Sequence, residues 1–417
     1  MADGKASHYL IDLDLDSVAY LGIGHENYKT FHSGNAVAFP GNVLNIDVVL
    51  FSDLYRGRSA HGGSICIVIC QNIITVLCED HKILFAISSL VIRLLNPFAP
   101  RSICSCKANL FLLGCLFPYM DCLDRYREIV PDYVAFRAIQ CQPLYSSARI
   151  NTLKIKKEKL LERLEEEGVL FQSFHWYPLG LKLDIESPGK LRENLLGYIH
   201  IQEELSMVPP LVLSPRPGES ILDLCASPGS KTTQISQMME NRGLVIANEP
   251  SLARIAPLRS NCERLGVLNV AVTRYDGRNF PRGPFDRVLV DAPCSSEGRE
   301  RRGPGVLSRC STDRSLDLQV LQIDLLKNAL RLTKPGGVVV YSTCTYAPEE
   351  NELVVQAALG DAEEFRLEKV CIPGLLECPG ITQWNGRELR DELSCTARYY
   401  PHINDTGGFY VAKIIKN

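Results

Sequence analysis

From about residue 219 onward, the hydrophobic positions of this chain fall into short runs of branched aliphatic residues separated by stretches of mixed polarity. Runs at Ile221–Cys225, Leu244–Ala247, Val270–Arg274, Arg287–Val290 and Val338–Tyr341 are the short, continuous kind that predicts strands buried on both faces. Between them, Lys231–Glu240, closed by Gly243, and Leu252–Leu265 read as helices. Final strands are expected at Phe365–Val370 and Phe409–Ile414. Strand alternating with helix implies an α/β fold, a parallel sheet with crossover helices.

Upstream the texture differs. A short strand is expected over 147–154, a charged amphipathic helix over Lys156–Glu167 ending at Gly168, and an extended segment over Phe174–Leu183 with a turn at Gly180. Together these form a small α+β module over residues 124–200, ahead of a catalytic domain over 201–417. Residues 1–123 form a cysteine-rich, apolar region to which no function is assigned. Its runs near Ile65–Leu77 and Ile83–Leu95 are broken by Glu79, Asp80, His81 and Lys82. A bilayer span needs roughly 20 residues, so these read as soluble core segments and no membrane partner is expected.

Composition narrows the classes further. Lys and Arg total 45 against 48 Asp and Glu, a formal charge of -3, so any nucleic-acid surface must be local. Sixteen cysteines occur with no signal peptide and no C-x-x-C pair. That pattern favours reduced thiols in a cytoplasmic compartment over a disulfide framework or a metal site; a monomer is expected.

The chemistry gathers at the strand ends, where doubly wound folds bind ligands. Cys294, in Val-Asp-Ala-Pro-Cys-Ser, and Cys344, in Tyr-Ser-Thr-Cys-Thr, each follow a strand and would face one crevice. The first turn, Cys225-Ala226-Ser227-Pro228-Gly229-Ser230-Lys231, opens a helix whose free amides point at whatever the loop cradles. A Walker loop would need glycines at 225 and 230, and no G-x-G-x-x-G follows any strand, so the ligand carries no phosphate. Alone, such a turn can be purely structural. Glu249 ends the second strand, where an acid accepts ribose hydroxyls, and Asp276 ends the third, within reach of an adenine amine. Loop and acids together describe an adenosine-containing cofactor without phosphate, which S-adenosylmethionine satisfies. Arg254, on the helix after Glu249, joins this candidate cofactor set. Asp223, inside the first strand, reads as a structural hydrogen-bonding residue.

Several ordered motifs then resemble one family. Leu222-Asp-Leu-Cys-Ala-Ser-Pro-Gly-Ser-Lys-Thr232, Asp291-Ala-Pro-Cys-Ser295 and Ser342-Thr-Cys-Thr345 look like the signatures of the Nop2/NSUN/RsmB-RsmF RNA 5-methylcytosine methyltransferases. Tyr198-Ile-His-Ile-Gln-Glu203 with Ser206-Met-Val-Pro209, Arg398-Tyr-Tyr-Pro-His402 and Gly408-Phe-Tyr-Val-Ala412 resemble further motifs of that family. The resemblance runs from about residue 124 to the last residue and is closest to archaeal and bacterial members. It implies a Rossmann-like S-adenosylmethionine-dependent methyltransferase sheet preceded by a small RNA-recognition-like module. It further implies that Cys344 attacks the base, that Cys294 assists release, that Asp291 holds the cytosine edge, and that Lys231 aids both base and thiol. The family usually carries Ala and Gly where this chain has Ser227 and Ser230, and often Asp in place of Glu249.

The partner implied is RNA, transfer or ribosomal. Arg299, Arg301, Arg302, Arg309 and Arg314 cluster after Cys294 and are expected to meet phosphate; Arg149, Lys154, Lys156 and Lys157 add positive charge on the small module. Two other readings stay open: a non-catalytic RNA-binding or assembly factor on the same fold, and a methyltransferase acting on a protein or small molecule.

Overall fold

The structure, a computed structural model, describes residues 118–281 and 283–417, with side chains from Cys122, and the backbone of several short strands between His8 and Ile87. The chain divides into two compact units, Met1–Met120 and Asp121–Asn417. In the first, Ile65–Cys70, Ile73–Cys78 and Ile83–Ile87 pair as an antiparallel three-stranded meander. Both apolar runs noted there thus contribute strands. The remainder of the second run, with Cys104, Cys106 and Cys115, lies outside the described residues. Among the described residues no helix is long and apolar enough to cross a membrane.

The second unit carries the chemistry. Its first sheet is antiparallel, ordered β4-β1-β3-β2 from β1 (Ser146–Ile150), β2 (Phe171–Ser173), β3 (Gly180–Leu183) and β4 (Ile199–Ile201). The expected extended segment over 174–183 is the end of a hairpin: β2 stops at Ser173 and β3 begins at Gly180. Helix α1 (Lys157–Glu166) buries Leu160 and Leu164 against Ala148, Ile150, Leu181 and Ile199. Two basic residues of this module are engaged within the protein, Arg149 buried and Lys154 at the surface. Arg149 is 1% exposed and donates to Gln202 Oε1 (3.1 Å) and Thr233 Oγ1 (2.9 Å). Lys154 Nζ is spent on the carbonyls of Leu196 (2.7 Å) and Arg264 (3.0 Å). They fasten the small sheet to the catalytic domain.

The large sheet uses β5 (Ser220–Asp223), β6 (Leu244–Asn248), β7 (Val270–Thr273), β8 (Phe285–Asp291), β9 (Thr333–Thr343), β10 (Phe365–Glu368), β11 (Ala397–Tyr399) and β12 (Phe409–Lys416), with a two-residue strand at Cys378–Pro379. Its order is β7-β6-β5-β8-β9-β12-β11, and β10 also pairs with β12. Strands β5 to β9 are parallel, as expected; β12 is antiparallel, with Val338 opposite Ile415 and Thr343 opposite Tyr410. The sheet is therefore mixed. No long crossover helix precedes β12, so the chain returns beside β9 from the opposite end. Strand β11 escapes the hydrophobic pattern because Arg398 sits in its middle, buried and paired with Glu352 (Nε to Oε1 2.6 Å) on helix α5 (Glu352–Leu359).

Continuous apolar runs reflect helices on both faces. Val288, Val290, Val339 and Tyr341 enter one core, while Leu289, Val338 and Val340 enter the other. Helices α2 (Ser230–Met238) and α3 (Leu252–Leu265) form the β5-α2-β6-α3-β7 crossovers, and α4 (Thr312–Arg331) leads into β9.

Candidate active site

Strand order reverses between β5 and β8, because β6 and β7 lie to one side and β9 to the other. At such a switch point the loops leaving neighbouring strands diverge and open a crevice at their carboxyl ends. A cavity of about 520 Å³ occupies that position, with Asp223, Cys225, Lys231, Asp291, Cys294 and Cys344 in its wall. Asp291 pairs in register with Ser342 on the adjacent strand, so Cys294 and Cys344 follow neighbouring strand ends. Their sulfurs are 3.2 Å apart, and the Cys344 N–H lies 3.4 Å from Cys294 Sγ. Neither forms a disulfide.

The two thiols are not equivalent. A hydrogen bond from Cys294, with another from Ser296, holds Cys344 below the usual thiol range, and the positive charge of Arg299 acts in the same sense. Cys294 is pushed up by the same partnership and by burial. Of the pair, Cys344 is the thiol that gives up its proton first. The residues behind the cysteines hold the two loops together. Ser295 Oγ and Thr345 Oγ1 are 2.7 Å apart, and Glu297 Oε2 accepts from Thr345 Oγ1 (3.0 Å), Tyr126 Oη (2.8 Å) and the Tyr346 N–H (3.3 Å). Glu350 Oε2 accepts the Ser295 N–H at 2.9 Å. None of Ser296, Glu297 and Glu350 stands out in the sequence as a site residue, because acids and serines near a loop read as solvated surface until the fold buries them.

Asp291 is fixed from two sides: Oδ1 accepts from Ser342 Oγ at 2.8 Å and Oδ2 lies 2.7 Å from Lys231 Nζ. Lys231 also donates to Ser206 Oγ (2.7 Å) and sits 5.5 Å from the Phe409 ring centroid. Its ammonium is thus engaged with Asp291, while the lowered Cys344 traces first to Cys294 and Ser296.

The cofactor loop accommodates both serines that depart from the family pattern. Its left-handed residue is Gly229 (φ 103°), where a Cβ would come within 2.9 Å of Leu258 Cδ1; neither Ser227 nor Ser230 has a positive φ. Ser227 Oγ donates to the Arg254 carbonyl (2.8 Å), Arg254 Nη2 returns a bond to the Ser227 carbonyl (3.1 Å), and Ser230 Oγ pairs with His200 Nε2 (2.8 Å). The Ala226 N–H donates to the Asn248 carbonyl, and Pro228 lies in the cavity wall. Burial drives the Cys225 thiol far up, so it stays neutral.

Glu249 is buried at the end of β6, taking the Ser251 N–H on Oε1 (2.9 Å) and facing Arg254 Nη1 at 3.3 Å. Asp276 stands apart: exposed, it caps the turn Gly277–Asn279 and pairs with Arg278 at 2.6 Å. Neither acid is among the residues lining the cavity. Asp223 performs the structural role expected, accepting Thr232 Oγ1–H on Oδ2 at 2.6 Å, yet its buried Oδ1 has no partner and burial raises its pKa to about 7. An orphaned carboxylate oxygen on a phosphate-free loop, with Asp291 across the cavity, suits a ligand bearing positive charge such as a sulfonium or an amino group.

The basic loop divides. Arg299 and Arg302 are exposed and line the cavity, and Arg309 is exposed farther along. Arg301, expected to meet phosphate, is 3% exposed: Nε donates to the Gln142 carbonyl (2.9 Å), Nη1 to the Thr406 carbonyl (2.8 Å) and Nη2 to Asp405 Oδ1 (2.6 Å). It is a strut rather than a surface cation.

Sheet order, switch-point crevice and phosphate-free loop together define a Rossmann-like, S-adenosylmethionine-dependent methyltransferase. Residues 210–415 match the family model described as 16S rRNA methyltransferase RsmB/F. The chain is 43% identical over 299 residues to a tRNA (cytosine(49)-C(5))-methyltransferase of Pyrococcus abyssi, covering 70% of this chain and 95% of that protein. It is 36% identical over 314 residues to the ribosomal RNA small subunit methyltransferase F of Vibrio vulnificus, covering 70% of this chain but 63% of that relative's length. A crystal structure of a methyltransferase homolog from Pyrococcus horikoshii superposes with a TM-score of 0.64 at 36% identity, over 75% of this chain and all of that one. The chain belongs to the Nop2/NSUN/RsmB-RsmF family of RNA 5-methylcytosine methyltransferases.

Proposed function

We propose that this protein methylates carbon 5 of a cytosine in transfer or ribosomal RNA through a covalent bond between Cys344 and the base. One observation carries the reading: two thiols 3.2 Å apart at adjacent strand ends, of which Cys344 is held below the usual thiol range and Cys294 above it. Transfer to nitrogen or oxygen needs no such pair. Carbon 5 of cytosine is a weak nucleophile until a thiolate adds to carbon 6. Cys344 Sγ supplies that electron pair, forming the S–C6 bond and leaving an enamine. Asp291, fixed by Ser342 and Lys231, holds the N3 and amino edge as charge builds there, which selects cytosine over uracil. Bound S-adenosylmethionine supplies the electrophilic methyl group, with the loop at 225–231, Glu249 and Arg254 as its holders. Cys294, positioned beside Cys344, then assists loss of the C5 proton, after which the S–C6 bond breaks and Cys344 leaves as thiolate. The target base must leave its stack to reach the thiols, and Arg299, Arg302 and Arg309 offer contacts to its backbone. The protein acts as a cytoplasmic monomer with no metal.

The test is direct. Purified protein, radiolabelled S-adenosylmethionine and transfer or ribosomal RNA transcripts should yield 5-methylcytosine on nucleoside mass spectrometry. Cofactor binding without transfer to any RNA would favour the non-catalytic reading.

A further inference from the structure

A second cavity, about 220 Å³, adjoins the thiol crevice and shares Leu144, Ile201, Glu203 and Arg302 with it. At the ~30 Å³ share of one liquid water this is room for roughly seven waters, the scale of one nucleobase. Its walls are tied together by hydrogen bonds. Arg301 clamps Gln142, Asp405 and Thr406, its own carbonyl accepts the Leu144 N–H (3.2 Å), and Ser147 Oγ bonds the Gln202 carbonyl (2.7 Å). The buried arginine that does not meet phosphate therefore builds this pocket.

The polar lining selects the ligand. Glu203, Glu204 and Asp405 stand against Lys182 and Arg302, an excess of acid that disfavours a phosphate inside. Glu204 Oε1 takes the Trp176 Nε1–H (2.9 Å), and burial raises its pKa to about 7. Glu203 Oε2 takes the Ser206 N–H (2.9 Å), whereas its Oε1 is buried with no partner. A buried acceptor left without a donor is costly, and because Glu203 lines this cavity, a turn of its side chain toward a ligand N–H removes that cost.

We propose that this cavity is the subsite for a nucleotide adjoining the target cytosine, with Glu203 Oε1 accepting the exocyclic amine of its base and Arg302 meeting the intervening phosphate. This rests on the reading of the protein as an RNA cytosine methyltransferase. Adenine, cytosine and guanine all present such an amine. Uracil has none, and its ring N–H is flanked by two carbonyls that would face the carboxylate.

The test uses the full chain and an RNA on which its methylated cytosine has been mapped, with each flanking nucleotide changed in turn to all four bases. Uracil at one flank should lower kcat/KM roughly tenfold, the loss of about one charge-assisted hydrogen bond. Glu203→Gln, whose amide can donate to a carbonyl, should level that difference. Ser146→Phe, which fills the cavity from β1, should erase it and raise KM. Equal rates on all flanks, or a preference that survives in both variants, overturns the subsite while leaving methylation intact. Failure to methylate any RNA overturns the function reading and the subsite with it.

Discussion

The two sides of the crevice are built differently. On the thiol side, Cys294, Cys344 and Asp291 are positioned by partners already present: Ser342, Lys231 and Ser296 in front, Glu297 and Glu350 behind. On the cofactor side, Asp223 Oδ1 is buried without a partner and Asp276 points to solvent beside Arg278. Bond-making groups must be preorganised because misplacement costs rate directly. A cofactor brings its own donors and acceptors, so its site can leave valences open.

That contrast can be broken most forcefully at Cys344. Cys344→Ala should lower methyl transfer by more than about a thousandfold, roughly 4 kcal/mol of barrier, while calorimetry finds cofactor affinity unchanged. Glu249→Ala should do the reverse, weakening cofactor binding roughly tenfold, the loss of one good hydrogen bond to a charged group, with near-normal turnover at saturating cofactor. If both variants fail in the same way, the two sides are one coupled unit.

Cys294→Ala should separate roles within the thiol side. Attack and methylation proceed without it, release stalls, and an RNA-protein adduct accumulates on a denaturing gel. The double variant lacking Cys344 must lose the adduct; an adduct in Cys344→Ala alone reverses the assignment.

Acidity sharpens the same distinction. The Cys344 thiol titrates below its ordinary value, so its thiolate forms at lower pH than an unperturbed thiol's and is lost as pH falls through that lowered pKa. Single-turnover rates should therefore rise with pH and level off below the ordinary thiol value of about 8.5. Ser296→Ala removes one donor to the sulfur and should move the midpoint upward. An unmoved midpoint assigns the shift to Cys294 and Arg299.

Much of the thiol side was legible in the sequence, since Pro-Cys and Thr-Cys after two buried runs place both thiols at strand ends with no further information. The partners behind them were not. Glu297 and Glu350 look like ordinary surface acids along the chain, and their burial depends on contacts such as Tyr126 to Glu297, 171 positions apart. The mixed edge of the sheet was hidden for a similar reason: Arg398 interrupts β11, and its charge is compatible with a buried strand only because Glu352 waits on α5. Ser227 and Ser230 depart from the family's Ala and Gly, but which loop residue takes the left-handed conformation, Gly229, is settled only by the fold.

The basic loop carries the smallest expected effect and the finest comparison. Arg299, Arg301 and Arg302 are equivalent by sequence, yet two are exposed at the cavity and one is buried between Gln142, Asp405 and Thr406. Replacing Arg299 and Arg302 with alanine should leave thermal stability within ~0.5 kcal/mol. The same change should lower the slope of log K for RNA against log salt by roughly 0.7 to 0.9 for each phosphate no longer neutralised. Arg301→Ala should instead cost about 2–3 kcal/mol of stability, because the carbonyls of Gln142 and Thr406 lose a charged donor in the interior. Its salt slope should match the parent once the protein is held folded. Binding titrations at several salt concentrations beside denaturant melts separate the two: a slope that falls with Arg301 alone makes the strut a phosphate ligand after all.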